Sequence, residues 1–102
     1  GRYLYVLFCC QQAAEKALKA VIIRRTDRVP PRIHQLVRLV ELAQVAADDR
    51  QVHFLRELSY YYIPSRYPEE AADISSDVTE ENARRVLTQS REFVKWLNSI
   101  SP

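Results

Sequence analysis

The sequence predicts an all-α fold, an antiparallel up-and-down four-helix bundle with an extended Tyr- and Arg-rich loop before the last helix. Three observations carry this reading. Only one glycine occurs in 102 residues, and four of the five prolines fall in two clusters, too few chain breakers for many short strands and tight turns. Apolar residues recur at steps of three and four through long unbroken segments, the period of a helix with one buried face. With 47% hydrophobic and 27% charged residues, the chain has the composition of one globular domain, residues 1–102, around a single core.

The first helix runs from Tyr3 to about Arg25 without a Gly or Pro. Leu4, Leu7, Phe8, Ala14, Leu18, Val21 and Ile22 fall on one face, with Lys16 and Lys19 on the other. At about 1.5 Å per residue it spans about 35 Å, the width of a small domain. Pro30 and Pro31 stop it from continuing. A second helix is expected over roughly Ile33 to Ala47, with Ile33, Leu36, Val37, Val40 and Ala43 as its stripe. Asp48 and Asp49 mark a turn into a third helix from about Arg50 to Tyr62, burying Phe54, Leu55, Leu58 and one of Tyr61 and Tyr62. Pro64 to Asp77 reads as a loop, long enough in so small a domain to suggest a function. Thr79 is the expected N-cap of the last helix, with Glu80 and Glu81 in its first turn, where the helix dipole favours acids. Ala83, Val86, Leu87, Ser90, Val94 and Leu97 form its buried stripe, with Phe93 or Trp96 at the edge.

Several classes of function drop out early. A net charge of +2 does not by itself predict nucleic-acid binding. No apolar run approaches the ~20 residues that span a bilayer. His34 and His53 are isolated and Cys9–Cys10 is not CxxC, so no metal site is expected, and one glycine cannot build a phosphate loop, so neither is a cofactor. The adjacent cysteines point to different helix faces and read as reduced thiols of a cytoplasmic protein, core residues rather than nucleophiles.

Two clusters remain. Arg24, Arg25, Arg28 and Arg32 either complement the carbonyl end of the first helix or form an anion-contact surface. Around Arg66 stand Tyr60, Tyr61, Tyr62 and Tyr67, a set that suits stacking on a ring while clamping a phosphate. The alternative is that the tyrosines wall the core and Arg66 pairs with Glu69 or Glu70. His34, at the entry to the second helix, suits a structural hydrogen bond there.

The string Phe8-Cys9-Cys10-Gln11-Gln12-Ala13-Ala14-Glu15-Lys16-Ala17-Leu18-Lys19-Ala20 resembles the first-helix signature of the prokaryotic HEPN domain family. Pro31-x-x-His34-x-Leu36-x-x-Leu39 resembles its second-helix entry, and Tyr62-x-x-Ser65-Arg66-Tyr67-Pro68 its loop after the third helix. The three occur in order over nearly the whole chain. The resemblance implies a helical bundle, commonly a homodimer, encoded beside a small nucleotidyltransferase in toxin–antitoxin-like pairs. Many such proteins are metal-independent ribonucleases that use an arginine and a histidine four to six residues apart; others bind nucleotides or RNA, or serve as partner subunits.

This chain departs from the ribonuclease pattern. The window after Arg66 closes on Ala71, Ala72 or Asp73, and the Arg28–His34 spacing is interrupted by Pro30 and Pro31. No catalytic residue is therefore assigned, since general acid–base cleavage needs a group that titrates near neutral pH. The expected function is nucleotide or RNA binding. Arg66 would hold a phosphate, Tyr62 and Tyr67 would flank the ring, and His34, Gln11 and Gln12 would shape the pocket wall. Gln11 and Gln12 break an apolar face, and a buried glutamine there requires a hydrogen-bond partner. The alternatives are a toxin-like ribonuclease and a non-catalytic assembly module.

Overall fold

The computed structural model describes residues 2–61 and 78–100, with the side chain of Arg2 left aside. The segment 62–77, which holds the expected loop with Tyr62, Arg66 and Tyr67, lies outside the described residues. Among the described residues four helices make up the regular structure: α1 (Arg2–Thr26), α2 (Leu36–Ala43), α3 (Asp49–Tyr60) and α4 (Glu80–Ile100). No described helix is long and apolar enough to cross a membrane. The expected all-α, four-helix architecture is present, and the helices pack closely on one core.

Each boundary has a local cause. α3 opens with a capping box: Gln51 N donates to Asp48 Oδ1 at 2.8 Å and Asp48 N donates to Gln51 Oε1 at 2.9 Å. Thr79 caps α4 as expected, its Oγ1 accepting from Asn82 N at 3.1 Å. α2 is shorter than the periodicity suggested. Residues Ile33–Gln35 do not join it, because His34 is held against α1 and Gln35 is extended (φ −75°, ψ 111°). Gln44, in the left-handed region at φ 59°, ends the helix by turning its N–H back onto the Glu41 and Val40 carbonyls. Gln35 offers no side-chain cap to α2; Ser59 supplies one from α3, its Oγ accepting from Leu36 N at 3.2 Å.

Contacts between helix ends set the directions. At the end of α1, Arg25 donates to the carbonyls of Gln44 (2.7 Å) and Ile100 (3.5 Å), just past the end of α2 and at the end of α4. The end of α3 meets the start of α4, where Arg85 binds Glu57. α1, α2 and α4 therefore finish at one end of the bundle and α3 runs against them, so strict alternation does not extend around all four helices. The segment 27–35 makes this possible by running back along α1. It leaves α1 through Asp27 at φ 54°, a left-handed residue, and Pro30–Pro31 cannot rejoin a helix.

Leu7, Leu18, Leu36, Leu39, Leu55, Leu58, Val86 and Leu97 are fully buried and form the centre of the core. Most of the expected stripes point inward. Phe8, Ile33, Val37, Leu87 and Val94 are only partly buried, whereas Leu39 and Phe93 are core residues and Tyr61 is the tyrosine that closes α3. Phe93 is buried where α3 packs over that side of α4, and Phe54 belongs to the same core cluster. Leu58→Ala should cost about 2–5 kcal/mol of unfolding free energy, and Asp48→Ala about 0.5–2 kcal/mol through loss of the cap; urea titration at neutral pH measures both.

A buried carboxylate and its donors on the first helix

α1 carries its apolar face toward the core, yet Gln11 is fully buried and Glu15 is 6% exposed in that face. They lie one turn apart, with Lys19 one turn further, so the helix itself aligns the three side chains. Gln11 Nε2 donates to Glu15 Oε1 at 3.0 Å and to the His34 carbonyl at 3.3 Å. His34 Nδ1 lies 2.9 Å from Glu15 Oε1, and Lys19 Nζ 2.9 Å from Oε2. A carboxylate only accepts, so Nδ1 carries the proton in this contact. Gln12 Nε2 donates to Gln11 Oε1 at 2.6 Å, which completes the network from the outside.

Burial on its own would raise the Glu15 carboxyl; the hydrogen bonds from Lys19, His34 and Gln11, with the Lys19 charge, outweigh it and hold the group below its ordinary value. The site is thus a carboxylate kept ionised inside the fold, with an imidazole oriented on it from another segment. The His34 side chain is 40% exposed and borders an open hollow of about 700 Å³. Arg38, which pairs with Glu41 at 2.7 Å, and Ser59 line the same hollow.

Three of the predicted site residues, Gln11, Gln12 and His34, meet here. Tyr62, Arg66 and Tyr67 are outside the described residues. Glu15 and Lys19 were not among the predicted site residues, and Lys19, placed on the far face, reaches back to the carboxylate. The signal available for them was the Gln11–Glu15–Lys19 spacing of four within an otherwise apolar stripe. His34 does more than bond at a helix entry, since it reaches across to α1. Of the arginine cluster, Arg25 bonds carbonyls at the ends of α2 and α4, while Arg24, Arg28 and Arg32 are exposed.

The cysteines separate as their adjacency requires: Cys9 is exposed and Cys10 buried. Burial pushes the Cys10 thiol up, with the neighbouring Cys9 adding to this and Ser90 and Arg91 opposing it. A thiol held protonated in this way is a poor nucleophile. No group of three His, Cys, Asp or Glu side chains is placed to hold a metal ion among the described residues.

Glu15→Ala should lower stability by about 1–3 kcal/mol, because Gln11 Nε2 and His34 Nδ1 lose their shared acceptor. The pH dependence has a definite sign. The folded-state value of Glu15 lies below its unfolded value, so its contribution is complete above about pH 4.3 and is lost as pH falls through the folded value. Urea midpoints of the wild type should therefore fall more steeply in that acid range than those of Glu15→Gln.

A scan of protein-family models matches the HEPN domain over residues 1–100. No curated protein matches the chain, and no solved structure does. The family match extends across α1 to α4 and includes the stretches that hold the Glu15 carboxylate and its donors, so the chain belongs to the HEPN domain family.

Proposed function

We propose that this HEPN domain is a nucleotide- or RNA-binding subunit. In this reading it works in the cytoplasm as a homodimer beside a small nucleotidyltransferase, in a toxin–antitoxin-like pair. One observation carries the binding role: a histidine oriented by a buried carboxylate at the wall of an open hollow that Arg38 also borders. An imidazole and a guanidinium on one concave surface suit a ring and a phosphate. In this reading Arg66 takes the phosphate, Tyr62 and Tyr67 flank the base, and Gln11 and Gln12 hold the wall behind His34.

The His34–Glu15 pair also favours a second reading, a metal-independent ribonuclease. A carboxylate that fixes the tautomer and orientation of an imidazole is the arrangement by which a histidine is set up for proton transfer. Arg66 would then stabilise the charge that develops on the phosphate during cleavage.

Titration of a fluorescent nucleotide separates these readings when run beside a metal-free RNA-cleavage assay. Arg66→Ala should weaken nucleotide affinity by about 10- to 100-fold, the effect of losing a hydrogen bond to a charged group. His34→Ala should weaken it less. Unchanged affinity in Arg66→Ala would sink the binding reading. RNA cleavage by the wild type that disappears in His34→Ala would establish the ribonuclease.

A further inference from the structure

The side of α1 that faces away from Glu15 forms, with α4, an open trough of about 720 Å³. Its walls are apolar: Val6 and Ala13 from α1, Leu87 and Val94 from α4. Tyr5 stands at its edge, 67% exposed. Small side chains, Cys9, Cys10 and Ser90, also line it and let another backbone approach closely. Ser90 is 4% exposed, and its Oγ has no hydrogen-bond partner of normal geometry; the Cys10 thiol is its neighbour.

Among the described residues that line the trough the charges have one sign: Arg91 and Lys95 are there and no carboxylate is. The single acid of α1 is Glu15, which is buried in the core-facing network. On α4, Glu80 pairs with Arg84, Glu81 stands beside it in the first turn outside the trough's lining, and Glu92 borders a different hollow against α3. A second copy related by a two-fold axis would bring Arg91 and Lys95 of both chains into one interface with no carboxylate of the trough to offset them. A bilayer surface would meet a concave trough poorly. A separate helix with an apolar stripe and acidic flanks satisfies both the shape and the charge.

We propose that the α1–α4 trough docks one acidic amphipathic helix of a partner protein, with its apolar stripe between Val6 and Ala13 of α1 and Leu87 and Val94 of α4, and its carboxylates on Arg91 and Lys95. The stretch from Leu87 to Asn98 is about 17 Å long, which accommodates about three helical turns. This extends the partner-subunit reading above, and a nucleotide titration on the same samples distinguishes failure of the one from failure of the other.

The test uses two synthetic helical peptides with the same leucine stripe, one flanked by glutamates and one by lysines, titrated by fluorescence anisotropy. The acidic peptide should bind at least about tenfold tighter, the effect of two ion pairs changing from attraction to repulsion. Arg91→Glu combined with Lys95→Glu should reverse the preference; both side chains are exposed, so the fold is retained, and circular dichroism checks it. The neutral pair Arg91→Gln and Lys95→Gln should abolish the preference. Equal affinity for the two peptides, or no binding of either, overturns the proposal. So does a homodimer that Leu87→Asp dissociates, or binding confined to phosphatidylserine vesicles.

Discussion

A carboxylate inside the apolar face of α1 constrains much of what surrounds it. Glu15 is 6% exposed, and an ionised group at that depth is tolerated only when its oxygens are well supplied with donors. Two donors come from its own helix, Gln11 one turn before and Lys19 one turn after. The third comes from His34, nineteen residues away in sequence. To deliver it the chain must reverse after Thr26 and lie back along α1. Asp27 in the left-handed region makes the turn, and the two prolines keep the return segment out of any helix.

The position of that segment decides where α2 can begin and which way it runs. Gln11 also takes the His34 carbonyl, so side chain and backbone of one residue are both pinned to the same turn of α1. α2 then starts beside the middle of α1 and finishes at Gln44 near Arg25, where the end of α4 arrives as well. The apolar core supplies most of the stability, but burial of apolar area is non-directional and by itself fixes no register of a return segment. Sliding His34 by one residue would leave Glu15 short of a donor in a low-dielectric setting, a cost those alternatives cannot recover. The polar network selects among arrangements that the hydrophobic effect alone would not distinguish.

α1 therefore serves two surfaces at once. Its core-facing side presents Gln11 and Glu15 to His34, at the edge of the hollow that Arg38 and Ser59 line. Its outer side, with α4, forms an apolar trough rimmed by Arg91 and Lys95. The proposed ligand site and the proposed partner face would then lie on opposite sides of one helix. The two share no lining residue, so each responds to its own substitutions.

The four helices of the described residues, their approximate spans and most of the core residues were legible in the sequence, because helix periodicity, prolines and caps such as Thr79 act over a few residues. Asp48 announced a boundary, though its capping box appeared only once Gln51 was seen to reach back to it. What the sequence left open is what depends on distant residues meeting. Ile33, Val37 and Leu39 share an apolar period, yet which of them is buried turns on how α2 lies against its neighbours. The shortened start of α2 follows from His34 being held by α1, and its cap comes from Ser59 on α3, contacts that no local pattern encodes. The same holds for the site: Gln11 and Gln12 stood out as breaks in an apolar face and His34 by its place at a helix entry, whereas nothing local singled out Glu15. Its burial was decided by the return of the 27–35 segment over α1, since a carboxylate becomes a core residue only when the tertiary fold supplies the donors that let it stay charged.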